Sequence, residues 1–176
     1  MDELEKIKQS INDTSDENVW SIFAYTKNKL KEKGLVRTNN ITGERGEFLA
    51  IATYNNTAGM PNLQAAPEGT QNVDALSRRG ERYSIKTITL PGNTTGVFYG
   101  IGNPNDEVAP EKKFEYIIIV RLDTNYQLHQ MIEVTWENFL RFKRWHTTMR
   151  AWNLSITQEL LTNSKIIFNA SNATAH

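Results

Sequence analysis

Hydrophobic and polar positions divide the chain into a helical beginning, a strand-rich middle and a mixed end. Polar residues alternate with Val19, Trp20, Ile22, Phe23 and Leu30 at helical spacing, which predicts a helix over 16–33 with those residues as its inner face, after a shorter helix over 2–12. Ser15 is the expected N-cap of the longer helix. Asp16 and Glu17 in its first turn, and Lys29, Lys31 and Lys33 ahead of Gly34, complement the helix dipole. A third helix is expected over GERGEFLAIATYNN, capped by Thr42 and docked through its FLA run.

Beyond a loop holding Gly59, Pro61, Pro67 and Gly69 the period shortens to that of strands. NVDAL (72–76) and RYSIKTITL (82–90) predict a β-hairpin whose turn residue is Gly80. Residues 91–113 are rich in Gly, Pro and Asn, with one short strand candidate at GVFYG; the polar loop 91–111 reads either as a substrate-contacting loop or as a mobile insertion. FEYIIIVRL (114–122) is a continuous apolar run of the kind buried on both faces, and YQLHQMIEV (126–134) is expected to pair with it. A helix over 136–150, a shorter one near 155–162 and a final strand at KIIF complete the pattern. The expectation is an α/β domain with a mixed, largely antiparallel central β-sheet flanked by helices.

Composition narrows the chemistry. The 176 residues carry 20 Lys+Arg against 20 Asp+Glu, a balance that argues against non-specific coating of nucleic acid. With no cysteine and 3 histidines, disulfides, thiolate metal sites and familiar zinc clusters are excluded, and a metal would need oxygen ligands. The N-terminal MDELEKIKQS lacks the apolar stretch of a signal peptide and IIIV at 117–120 is too short to span a bilayer, so a soluble, cytoplasmic protein without a membrane partner is expected. The length suits one folded domain at 35–170, with a helical arm at 1–34 and a flexible tail at 171–176.

Within that domain, Ser84 and Lys86 lie two apart on one strand and share a face, while Ile85 points to the other. Asp74 lies on the adjacent strand. Glu47 lies on the third helix, with Glu44 three residues before it as a rival on the same side. An acid and a lysine on neighbouring strands commonly form nothing more than a surface pair. Charge is also unevenly placed: Arg78, Arg79, Arg82 and Lys86 face the single acid Glu81 in 78–86, and Arg141, Lys143, Arg144 and Arg150 occur with no acid in 141–150.

The order of LVRTNNITGERGEFLA, NVDAL, RYSIKT and FEYIIIVRL resembles the PD-(D/E)XK nuclease superfamily: helix acid, strand acid, hairpin, acid-x-Lys. It looks closest to an uncharacterised bacterial branch with a Q-x-K-T strand, which here reads Ser84-Ile85-Lys86-Thr87. The resemblance covers about residues 20–137. It implies a restriction endonuclease-like fold and a Mg²⁺-dependent endonuclease cutting DNA, of restriction or defence type, with Mn²⁺ as a substitute ion. By the same resemblance Asp74 is the strand acid, Lys86 the lysine, Glu47 the helix acid and Ser84 the position usually acidic or Gln, with Glu47, Asp74 and the Ile85 carbonyl as metal ligands. Arg78, Arg79, Arg82, Arg141, Lys143 and Arg144 would grip phosphates. One active site cuts one strand, so double-strand cleavage implies a homodimer, with the Trp20 and Phe23 face as its interface. Because Ser84 stands where an acid is usual, a catalytically eroded module that binds nucleic acid or protein without cleaving is the alternative.

Overall fold

The computed structural model describes residues 2–173 apart from 39 and 68, and the chain divides into two compact units, 1–41 and 42–176. The first unit is a helical pair. Helix α1 (Glu3–Asn12) begins where the Asp2 carboxylate accepts the Glu5 N–H at 2.9 Å, and α2 (Asp16–Glu32) where the Ser15 hydroxyl accepts the Asn18 N–H at 3.4 Å. The inner face expected on α2 is realised only in part: Ile22 and Leu30 are half-buried, whereas Val19 is 40% and Phe23 53% exposed. The Trp20 side chain lies outside the described residues.

The second unit carries the sheet. Helix α3 (Ile41–Asn56) starts one residue before Thr42, so Thr42 is a helical residue whose hydroxyl donates to the Tyr126 hydroxyl instead of capping. A short strand β1 (Leu63–Ala65), absent from the sequence expectation, precedes β2 (Ala75–Ser77) and β3 (Arg82–Thr89). Then follow β4 (Tyr116–Leu122), β5 (Leu128–Thr135), α4 (Trp136–Phe142), β6 (Arg144–His146), β7 (Ala151–Asn153), α5 (Gln158–Thr162), β8 (Lys165–Asn169) and α6 (Ala170–Ala173). The main sheet has six strands in the order β1-β2-β3-β4-β5-β8. It is mixed. The central β3–β4 pair is parallel and every other pair in it antiparallel, so the 90–115 segment is a crossover.

That crossover packs on the sheet through its buried residues, while its stretch 102–109 is exposed. Phe98, Ile101 and Phe114 bury completely or nearly so, and Phe98 exchanges backbone hydrogen bonds with Trp152 of β7 at 2.7 and 3.3 Å. It forms the cover of one sheet face, together with α4, α5 and the β6–β7 hairpin, over Ile88, Ile117, Ile119, Ile132 and Val134. The opposite face, built on Tyr83, Ile85, Ile118, Val120 and Met131, is covered by Ala50 and Tyr54 of α3. Gly46, Ala50 and Tyr54, four apart along α3, are its buried positions, whereas Phe48 of the expected docking run is 52% exposed.

The long helix expected over 136–150 stops at Phe142, where Lys143 turns extended. Beyond it the chain folds into the β6–β7 hairpin, with Arg150 at φ 47 in its turn and the Trp145 ring edge-on to Trp152 at 5.0 Å. Cross-strand aromatic pairing and burial of Trp152 outweigh the helix preference of the Arg and Lys residues in this stretch.

Candidate functional site

The geometry of interest lies where β2 parts from β3. Asn72 sits at φ 60 and holds the Tyr99 carbonyl at 2.8 Å, so the chain enters from a sharp turn and runs beside β3 only from Asp74, whose N–H donates to the Tyr83 carbonyl at 2.8 Å. Asp74 therefore lies just before β2 and not within a strand starting at 72. The next outward N–H on β3, that of Ile85, has no strand partner on this edge and donates to Asp74 Oδ2 at 2.6 Å. Ser84, fully buried, donates its hydroxyl to the same oxygen at 3.3 Å. The carboxylate thus closes the open end of the ladder.

The sheet alternation places Ser84 and Lys86 on the crossover-covered face. The Lys86 ammonium rests 4.9 Å from the centre of the Phe98 ring. Burial holds it below the usual lysine range, and the charges of Asp74 and then Glu47 push it back up. Both acids of the sequence reading therefore reach Lys86 electrostatically, and Glu44 is not among the charges acting on it.

Glu47 comes from the other side of the sheet. Helix α3 crosses β3 so closely at Gly46 that a Cβ there would overlap the Thr87 hydroxyl; Glu47 is the next residue, and its charge acts on Lys86 of the β3 edge that β2 has vacated. The Ile85 carbonyl lies along that edge too, because the N–H and C=O of a strand residue point the same way. The donor set fits a hard cation: Asp74 has committed one oxygen to N–H and O–H donors and keeps the other, Glu47 is a second carboxylate, and the backbone carbonyl a third oxygen. Among the described residues there is no cluster of three or more His, Asp or Glu side chains suited to a metal, so a site here would depend on that carbonyl.

The basic residues are dispersed. Arg82 is taken up by Glu115, its Nη2 2.9 Å from Oε1 and its Nε 3.1 Å from Oε2, and Arg141 by Glu159 at 2.8 Å. Lys143 lies 3.7 Å from the centre of the Trp152 ring, next to the crossover, and burial lowers its pKa. Arg144 is exposed on β6; Arg78 and Arg79 are exposed on the β2–β3 turn, at the other end of those strands from Asp74. Sequence reasoning missed Phe98, the ring beneath Lys86, because Gly- and Pro-rich flanks hid a buried residue in a loop. No protein-family model matches the chain, and neither does any curated protein sequence.

Proposed function

We propose that the chain is a divalent-cation-dependent endonuclease of the restriction endonuclease-like fold that hydrolyses DNA phosphodiester bonds. The observation that carries this reading is the junction of Asp74, Ser84, Ile85 and Lys86 at the point where β2 leaves β3, with Glu47 near enough to act on the same lysine. Glu47 on α3, Asp74 just before β2 and Lys86 on β3 follow in one α/β unit in the order that prompted the resemblance, with Asp74 outside the strand.

Asp74, Glu47 and the Ile85 carbonyl would hold Mg²⁺, or Mn²⁺ in its place. When bound, the ion acidifies a water and offsets phosphoryl charge. Ser84 orients Asp74 through its hydroxyl, which an acid at this position could not do without repelling it. The Lys86 ammonium, cushioned on Phe98 and flanked by carboxylates, orients the attacking water or neutralises the scissile phosphate. Lys143 and Arg144, on the same crossover-covered side, would hold flanking phosphates, and two copies related by a two-fold axis through the exposed Phe23 face of α2 would cut both strands.

The Ser84 hydroxyl also favours a second reading, a nuclease-fold module that binds without cutting, since a neutral donor is a weaker Mg²⁺ ligand than a carboxylate. One experiment separates them. Supercoiled plasmid is incubated with the full chain and Mg²⁺ or Mn²⁺. Nicking is expected from the wild type and a loss of about 100-fold or more from Asp74→Asn and Lys86→Ala, in line with removal of a charge-stabilising group from a site of this kind. Equal product from all three proteins sinks the nuclease reading, and retained DNA binding without any nicking favours the module.

A further inference from the structure

A second concavity lies at the opposite end of β2 and β3, on the α3-covered face, between the β2–β3 turn and the start of β8. We infer that this cleft binds a small phosphorylated ligand of nucleotide size. It encloses about 410 Å³ and is lined by Arg78, Arg79, Lys165, Glu133, Tyr116 and Met60 among others. Its volume falls within the range of small-ligand pockets, roughly 300–1,000 Å³.

Its rim is mostly cationic, with the Glu81 carboxylate beside the arginines and held by the Ser77 hydroxyl at 2.8 Å. Three cations reach its rim from two elements: Arg78 and Arg79 from the hairpin turn and Lys165 from β8. Among the described residues none of the three lies within ion-pair distance of a carboxylate, and the Lys165 ammonium donates to the weak acceptor Met60 Sδ at 3.3 Å. Unspent guanidinium and ammonium groups around one hollow suit a phosphate, which arginine binds through paired N–H donors.

The inner end offers an acceptor. Glu133 Oε2 accepts the Tyr54 hydroxyl at 2.7 Å, and burial with the Glu133 charge keeps that phenol protonated far above its ordinary range. The second carboxylate oxygen can accept an amino or hydroxyl donor from a ligand. Beside it the half-buried Tyr116 ring stacks on the buried Tyr83 ring at 5.1 Å, so Tyr116 lends this end an aromatic side. An adjoining hollow of about 290 Å³ shares Asn62 and Arg78 with the cleft, so Arg78 stands at the junction of the two. Inorganic phosphate would use only the rim. A nucleoside monophosphate matches both ends.

The test is titration of the full chain with adenosine and thymidine 5′-monophosphate, the two nucleosides, and inorganic phosphate, followed by calorimetry and amide NMR. Saturable binding of at least one monophosphate is expected, with its nucleoside and phosphate each at least ten-fold weaker and shifts centred on Arg78, Tyr116 and Glu133. Arg78→Ala/Arg79→Ala, at exposed turn positions, should weaken it ten-fold or more, and Glu133→Gln should weaken the nucleotide more than phosphate. Asp74→Asn should change nothing, which separates this cleft from the proposed nuclease site. No saturation at millimolar nucleotide, binding unaltered by the arginine pair, binding abolished by Asp74→Asn, or binding of oligonucleotides alone would each overturn the inference.

Discussion

The two faces of the central sheet solve the same packing problem with different materials. The α3 face is closed by one helix whose buried stripe is Gly46, Ala50 and Tyr54, and its one polar contact of note, Tyr54 to Glu133, is internally satisfied. The other face is closed by short pieces rich in aromatic residues: Phe98 and Phe114 of the crossover, Trp136 and Phe139 of α4, and Trp152 of β7. The Phe98, Phe114, Trp136 and Phe139 rings meet one another at 4.9–5.7 Å, Trp152 meets Trp145 at 5.0 Å, and Lys86 lies against Phe98. A helix lid admits little variation along its stripe. A lid assembled from loops and rings can take in a lysine and a buried serine, the Lys86 and Ser84 of the candidate site.

The largest effect that probes this contrast is on the helix lid. Gly46→Ala would drive a methyl into the Thr87 hydroxyl, and stability in urea should fall by about 3 kcal/mol. Adding Thr87→Ala should recover part of that loss; full tolerance of Gly46→Ala would mean that α3 is free to lift, and the contrast between a rigid and an adaptable lid would be lost. A smaller loss is expected from Tyr54→Phe, about 2 kcal/mol at neutral pH, because Glu133 loses a donor in a part-buried setting. Its sign with pH can be derived. The folded-state pKa of Tyr54 is raised far above that of an unfolded tyrosine, about 10, so the unfolded chain releases this proton first and wild-type stability declines as pH rises above about 10. Tyr54→Phe should remove that share of the alkaline decline; an unchanged slope in alkaline urea melts would show that the phenol is not held by Glu133.

Legibility from sequence follows the same division. FEYIIIVRL announced β4 because a strand buried on both faces is apolar throughout, and Gly80 announced its turn, where φ is 84. Asp74, Ser84 and Lys86 were legible as a group because two-residue spacing fixes a shared face. The parallel sense of β3 and β4 was not, since nothing local distinguishes a 90–115 crossover from a hairpin with a long loop. The basic stretch 141–150 misled because Arg and Lys favour helix on any local scale, while the Trp145–Trp152 contact that decides for a hairpin joins residues across a turn. Beta-strand β1 was hidden among Pro and Gly, its pairing with β2 spanning the loop between them. The FLA run docks the helix through Ala50 and Leu49 but not through the exposed Phe48, and Gly46, which the sequence did not single out, sets the closest approach.

The smallest expected effect is the most telling for the lid of rings. Lys86 is a mostly buried ammonium whose environment depresses its pKa, so its charge costs stability in the folded state. An unfolded lysine titrates near 10.4; between the lowered folded value and about 10.4 the unfolded chain binds more protons, so wild-type stability rises with pH across that window. Lys86→Met keeps the length of the side chain, removes the charge and retains contact with Phe98. It should leave neutral-pH stability unchanged or raise it by up to about 1 kcal/mol, flatten that rise, and abolish plasmid nicking. A loss of more than about 2 kcal/mol would mean that the ammonium holds Asp74 and Glu47 together structurally, and the lysine would then belong to the scaffold and not to the chemistry. Gain of stability with loss of nicking would instead mark Lys86 as a charge kept at a cost for its function.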